Sequence, residues 1–108
     1  MRRGDFVRVA LPGAYGKPRP ALIIQSDAYS DHSSVTLLPV SSTLVDAPLL
    51  RVRVDPDETN NLQKTSQIMV DKLMTIPREK VSPAFGKASD QTMLMVSRNL
   101  TVFLGIAG

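Results

Sequence analysis

The 108-residue sequence predicts a small, mostly antiparallel β structure, a barrel or strongly curled sheet closed by a C-terminal helix. Two observations carry that reading. Short apolar runs rich in Val, Ile and Leu recur between clusters of Pro, Gly, Asn and Asp, which is the punctuation of strands and turns. After Ser89 the period changes, and Met93, Val96, Leu100, Phe103 and Leu104 fall on one helical stripe. The absence of a repeat, a low-complexity segment or a linker makes residues 1–108 a single expected domain, mainly β with one helix.

Asp5 to Leu11 reads as the first strand, with Arg8 set among apolar neighbours. Pro12 to Pro18 holds two Gly and two Pro in seven residues and reads as a loop. The continuous apolar run Ala21–Ile24 suits a strand buried on both faces. Ser26 and Asp27 are placed to cap one helical turn through Tyr29. Val35–Val40 is a further strand, and Pro48–Val54 alternates as a half-exposed one, with Leu50, Val52 and Val54 on one face. Asp55–Asn61 is turn chemistry. Ser66–Val70 and Leu73–Ile76 bracket Asp71 and Lys72 as two short strands, the second stopped by Pro77. In the tail, Ser89 is a suitable N-cap, Asp90 complements the helix dipole and Gly105 is a plausible terminator.

Composition excludes several function classes. The sequence has no Cys, so disulfides and thiolate metal sites are out, and with one histidine, His32, a metal such as Mg²⁺ would have to be held by carboxylates alone. No cofactor is expected. No segment approaches the roughly 20 apolar residues that span a bilayer, and the N-terminus lacks the apolar region of a signal peptide. The expected location is the cytoplasm. The net charge is +3, and Arg2, Arg3, Arg8, Lys17 and Arg19 face a lone Asp5 in the first twenty residues, which fits a polyanionic partner. Aromatics are 5% of the chain and Trp is absent, so RNA contacts would rest on phosphates and polar groups rather than a broad stacking platform.

Four landmarks, taken in order, resemble the MazF/PemK toxin family. The first is Arg3-Gly4-Asp5 opening a strand that leads into a Gly-containing loop; the second is Arg19-Pro20 followed by the apolar Ala21–Ile24. The third is a strand ending in Pro39-Val40-Ser41-Ser42-Thr43, and the fourth is Val70-Asp71-Lys72-Leu73-Met74-Thr75-Ile76. The final helix ending Phe103-Leu104-Gly105-Ile106 also fits. Ser41 stands where many members carry Thr, Lys72 where Gln is common, and Met69 where the PemK branch has Arg. The resemblance implies an SH3-like barrel that works as a homodimer and cuts single-stranded RNA in a sequence-specific way. Its partner would be a cognate antitoxin whose acidic, disordered segment neutralises it. Two other readings stay open. CcdB-like gyrase poisons share this barrel and act through a Trp-Gly-Ile ending, of which Gly105-Ile106 remains here. A catalytically degenerate binding module is the other, kept open by Met69 and Lys72.

RNA can be cut by its own 2′-hydroxyl attacking the adjacent phosphorus, a route that needs charge stabilisation and proton transfer but no metal. Arg19 is the first candidate, because a guanidinium forks onto two phosphate oxygens. The bland alternative is a solvated loop Arg or an ion-pair partner of Asp5 or Asp71. Ser41 can donate a hydrogen bond to the same phosphate, with Ser42 and Thr43 close enough in sequence to share or take that role. Asp71 completes the candidate catalytic set as an orienting carboxylate, although pairing with Lys72 or Arg78 would look the same in sequence. Lys17, Arg51, Arg53 and Lys72 are candidates for phosphate contact along with Ser42 and Thr43. His32 reads as a surface turn residue, and Leu44, Val45 and Leu49 as candidates for a dimer contact.

Overall fold

The computed structural model describes residues 1–10 and 17–107. Leu11 and most of the expected loop after it lie outside the described residues. Among the described residues, seven strands form one curled antiparallel sheet: β1 (Asp5–Ala10), β2 (Pro18–Ile23), β3 (Ser34–Ser41), β4 (Arg51–Val54), β5 (Ser66–Met69), β6 (Met74–Pro77) and β7 (Gly86–Lys87). The one α-helix of the described residues, α1, spans Asp90–Phe103. The strand order is β4-β5-β3-β2-β1-β7, with β6 paired to β3 off that path.

The long β3 is what makes the sheet curl. One edge of it pairs with β2, Leu38 opposite Leu22. Its other edge is divided: Val35 meets Ile76 of β6 early in the strand, and Val40 meets Ile68 of β5 at its end. Beyond β6 the chain passes through a 3-10 turn at Arg78–Lys80 and returns to β1, where Val81 bridges Val9. The sheet thus wraps back on itself as a half-barrel.

Two apolar clusters result, one on each side of β1–β3. Phe6, Leu22, Leu38, Val52, Ile68 and Val96 belong to the cluster beneath α1. Val7, Val9, Ala21, Ile23, Val35 and Leu37 form the other, covered by Met74, Ile76 and Val81. This explains the unbroken run Ala21–Ile24: successive side chains point to opposite faces, and both faces are buried.

Ser89 caps α1 as its sequence position suggests, its Oγ accepting from the Thr92 amide at 3.1 Å. At the other end Gly105 takes φ +73°, the Ile106 amide donates to the Thr101 carbonyl and the Gly105 amide to Val102. That is the Schellman pattern, and it stops the helix. Arg3 ties the start of β1 to this helix, its guanidinium donating to the Ile24 carbonyl and to Ser97 Oγ. Replacing Ser89 with Ala should cost about 1 kcal/mol, read as a lowered thermal midpoint; an unchanged midpoint would mean that water caps the helix equally well.

Four expectations need correction. Residues 48–50 are not strand, because the Leu50 and Arg51 amides both close a turn onto the Ala47 carbonyl. Leu49 is left 75% exposed. Val70 leaves β5 to begin a 3-10 turn with Asp71 and Lys72. The apolar stripe of α1 ends at Leu100: Phe103 and Leu104 are 44% and 48% exposed, since the helix runs past the edge of the sheet that buries its middle. The fourth is β2, which starts at Pro18 rather than Ala21, its two prolines paired opposite Ala10 and Arg8.

Candidate active site

A groove of about 610 Å³ opens where β1, β2 and β3 run out on the same side of the sheet. One wall is Arg8 with Pro18, Arg19 and Pro20. The end of β3 and the residues after it, Pro39 to Thr43, form the floor. The segment from Asn61 to Lys64 closes the far side, and Phe85 lies at its base.

Arg19 comes from β2, paired opposite Val9 near the mouth of the β1–β2 hairpin. It is exposed, and among the described residues it has no ion-pair partner. Its charge is therefore uncommitted. Ser41 is the last residue of β3, and its Oγ accepts from the Thr43 amide at 3.1 Å. That bond uses an oxygen lone pair and fixes the hydroxyl's position while leaving its proton free to donate. Ser42 and Thr43 follow as exposed residues of the same turn. Lys17 is exposed immediately before Pro18, at the rim rather than in the lining.

The remaining candidates stand elsewhere. Asp71 sits in the 3-10 turn between β5 and β6, its Oδ2 3.8 Å from Lys72 Nζ and its Oδ1 buried without a hydrogen-bond partner. That turn packs against α1, β3 and β4; among the described residues Asp71 forms no ion pair with Arg19 and is not part of the groove's lining. Arg51 and Arg53 lie on β4, at the opposite edge of the sheet from β1. Arg53 Nε pairs with Asp55 Oδ1 at 3.2 Å. A hydrogen bond from Thr65, reinforced by Arg53, holds the Asp55 carboxyl below its usual range. His32 accepts the Ser34 amide on Nδ1 at 3.1 Å and is a turn residue away from the groove.

Sequence reasoning passed over Arg8, Phe85 and the Asn61–Lys64 wall. Arg8 carried a faint signal, being a charge two positions from Phe6 on the same face of β1. Phe85 carried none, since only the fold brings it to β1.

A sequence model of the family described as the PemK-like, MazF-like toxin of type II toxin–antitoxin systems matches residues 2–104. The chain belongs to this family. A protein called probable endoribonuclease MazF, from Mycolicibacterium smegmatis, is 46% identical over 109 residues, covering 100% of both chains. Among solved structures, a mycobacterial endoribonuclease in complex with its cognate antitoxin superposes with a TM-score of 0.83 at 21% identity, covering 100% of this chain and 98% of that one. MazF from a MazE–MazF complex of Deinococcus radiodurans superposes at 0.81 with 22% identity, over 99% and 98% of the two chains. The PemK/MazF fold, a curled antiparallel sheet with a C-terminal helix, is thus shared along the length of the chain.

Proposed function

We propose that this PemK/MazF-family toxin is a sequence-specific endoribonuclease that cuts single-stranded messenger RNA without a metal, and that residues 1–108 form one toxin domain. The observation that carries the reading is Arg19: a guanidinium without an ion-pair partner among the described residues, in a groove it shares with three consecutive hydroxyl side chains, Ser41, Ser42 and Thr43. The whole-length relative named as an endoribonuclease supports RNA as the substrate over DNA gyrase, and over a module without activity.

In this reading the 2′-oxygen attacks phosphorus, the P–O5′ bond breaks, and the products are a 2′,3′-cyclic phosphate and a 5′-hydroxyl. Arg19 stabilises the added charge on the non-bridging oxygens, and the Ser41 hydroxyl donates to one of them. The described lining contains no carboxylate, imidazole or thiol. In this reading the 2′-proton leaves to solvent, and solvent protonates the departing oxygen. The oxygen donors of the described lining are neutral hydroxyls and amides, with no charged ligand to hold a divalent ion tightly. Lys17, Ser42 and Thr43 hold phosphates beside the cut. Arg51, Arg53 and Lys72, outside the groove, reach only flanking phosphates, and Asp71 acts on the turn it belongs to rather than on the scissile group.

The enzyme works as a cytoplasmic homodimer, for which the exposed Leu44, Val45 and Leu49 and the outer helix residues Leu94 and Met95 supply apolar contact area. No helix among the described residues is long and apolar enough to cross a membrane. Its partner is an antitoxin whose acidic, disordered segment folds over the basic groove, a mode in keeping with the antitoxin complexes of its structural relatives. Incubation of purified protein with single-stranded RNA in excess EDTA tests the chemistry. Fragments bearing 5′-hydroxyl ends are expected; activity that stops with chelator and returns with Mg²⁺ would overturn the metal-free mechanism.

A further inference from the structure

The groove holds a feature that phosphate binding leaves unused. Alternation along β1 puts Arg8 on the same face as Phe6, and Phe85 lies against both. The Phe6 and Phe85 ring centroids are 6.2 Å apart with planes inclined by 27°, and Arg8 Cζ sits 4.2 Å from the Phe85 centroid. Both partners of that stack are anchored by their main chains. The Arg8 amide donates to Ser82 Oγ at 2.8 Å, and its carbonyl accepts from the Ser82 amide at 2.9 Å. The Phe85 amide donates to the Phe6 carbonyl at 2.9 Å, and its own carbonyl accepts from Asn61 Nδ2 at 2.8 Å.

The guanidinium is thus set over a fixed ring, yet among the described residues it makes no ion pair and no side-chain hydrogen bond. Arg8 is exposed and lines the groove. Phe85 is the single aromatic of the described lining, and Arg8 covers it. Both line the groove, so a planar cation and the ring behind it are offered to it together. A planar cation backed by a ring is suited to a nucleobase, which stacks on arginine planes as it does on aromatic faces.

We propose that Arg8 is the base-stacking platform of this groove, receiving an unpaired base next to the phosphate held by Arg19 and so contributing to which RNA sequence is chosen. The proposal rests on the reading of the groove as an RNA site. Arg8 acts through the face of its guanidinium rather than through its charge, which separates it from a phosphate contact. Lysine keeps the charge and loses the plane; tyrosine keeps a plane and loses the charge.

Binding of a fluorescein-labelled, mixed-sequence 2′-O-methyl RNA octamer, which lacks the attacking hydroxyl and is not cut, distinguishes the two when followed by anisotropy. Arg8→Lys and Arg8→Ala should both weaken binding about ten-fold, the scale of one lost base stack, whereas Arg8→Tyr should stay close to wild type. Mapping the 5′-hydroxyl ends released from a long transcript should show relaxed base choice at one position beside the cut for Arg8→Lys. All three variants replace an exposed side chain, and circular dichroism melts confirm folding. Full affinity in Arg8→Lys with loss in Arg8→Tyr would make Arg8 a phosphate contact and overturn the proposal, as would a wild-type protein that does not bind the octamer. A wild type that binds the octamer but does not cut the transcript refutes the nuclease reading alone, and the binding series still decides Arg8.

Discussion

Arg19→Ala is expected to slow RNA cleavage by about 10²–10³-fold, the usual loss when one preorganised transition-state contact is removed. Arg19 lines the groove beside the Ser41–Thr43 hydroxyls, and among the described residues no carboxylate engages it. The loss should fall on kcat more than on KM, because the added negative charge exists only in the transition state. Stability should change by no more than about 0.5 kcal/mol, since the side chain is exposed. Growth arrest should decline with cleavage. Removing residues 106–108 should leave both in place, because Ile106 is 73% exposed beyond the end of α1 and is not part of the groove's lining. A gyrase poison acting through its tail would give the inverse pattern. An Arg19→Ala protein that stays fully toxic would remove the nuclease assignment.

How far the sequence foretold this arrangement depends on the distance over which each feature is decided. Helix α1 was legible because its determinants are local: a serine cap, an acidic first turn, a stripe at period 3.6 and a terminal glycine. Residues 21–24 could be read as doubly buried because no polar residue interrupts them. The limit of the helix's apolar stripe was not legible. Phe103 continues the spacing faithfully, and only the extent of the sheet beneath decides that it has nothing to pack on. Likewise Pro48–Leu50 alternates as a strand would, but the Ala47 carbonyl captures two amides and makes a turn instead.

The site follows the same logic. Arg19 and the hydroxyl run stood out because proline and small polar residues mark strand ends, and strand ends on one side of a sheet gather. Asp71 was set beside them by its chemical type and its place in the family-like Val70–Ile76 segment, and the 3-10 turn carries it toward α1. Arg8 was visible as a charge within an apolar strand, but its significance depends on Phe85, seventy-seven positions later in the chain. β7 was missed for a related reason. Two residues, Gly86 and Lys87, have no periodicity to detect, and they are strand only because β1 offers them an edge.

Gly86 is also where the fold should be least forgiving. Gly86→Ala is expected to cost about 3 kcal/mol, the upper range for forcing added atoms into filled space, and to lower the thermal midpoint by roughly 10–20 °C in a chain of this size. A Cβ at this position would collide with the backbone carbonyl of Asn60, far inside van der Waals contact. The neighbour is main chain, so no rotamer change relieves the clash. Nor can the Asn60 segment retreat easily. Asn60 is 2% exposed, its Oδ1 accepts the Asp57 and Leu62 amides at 3.0 and 2.9 Å, and its Nδ2 donates to the Asp55 carbonyl at 2.9 Å. Flanking bonds fasten the same loop to β7: the Lys87 amide to the Thr59 carbonyl at 2.9 Å, and Asn61 Nδ2 to the Phe85 carbonyl at 2.8 Å. Asn61 and Phe85 belong to the groove, so relaxation around the new methyl group would displace its far wall and the ring under Arg8. RNA binding should therefore weaken even at temperatures where the variant is folded. Gly105→Ala provides the comparison. Its φ of +73° costs an alanine about 1–2 kcal/mol, but nothing lies within 4 Å of the added carbon, and the groove is untouched. Thermal melts and RNA binding of the two variants should rank Gly86→Ala as the more damaging on both counts; a Gly86→Ala protein that melts with wild type would show that the close approach of β7 to Asn60 does not hold the loop.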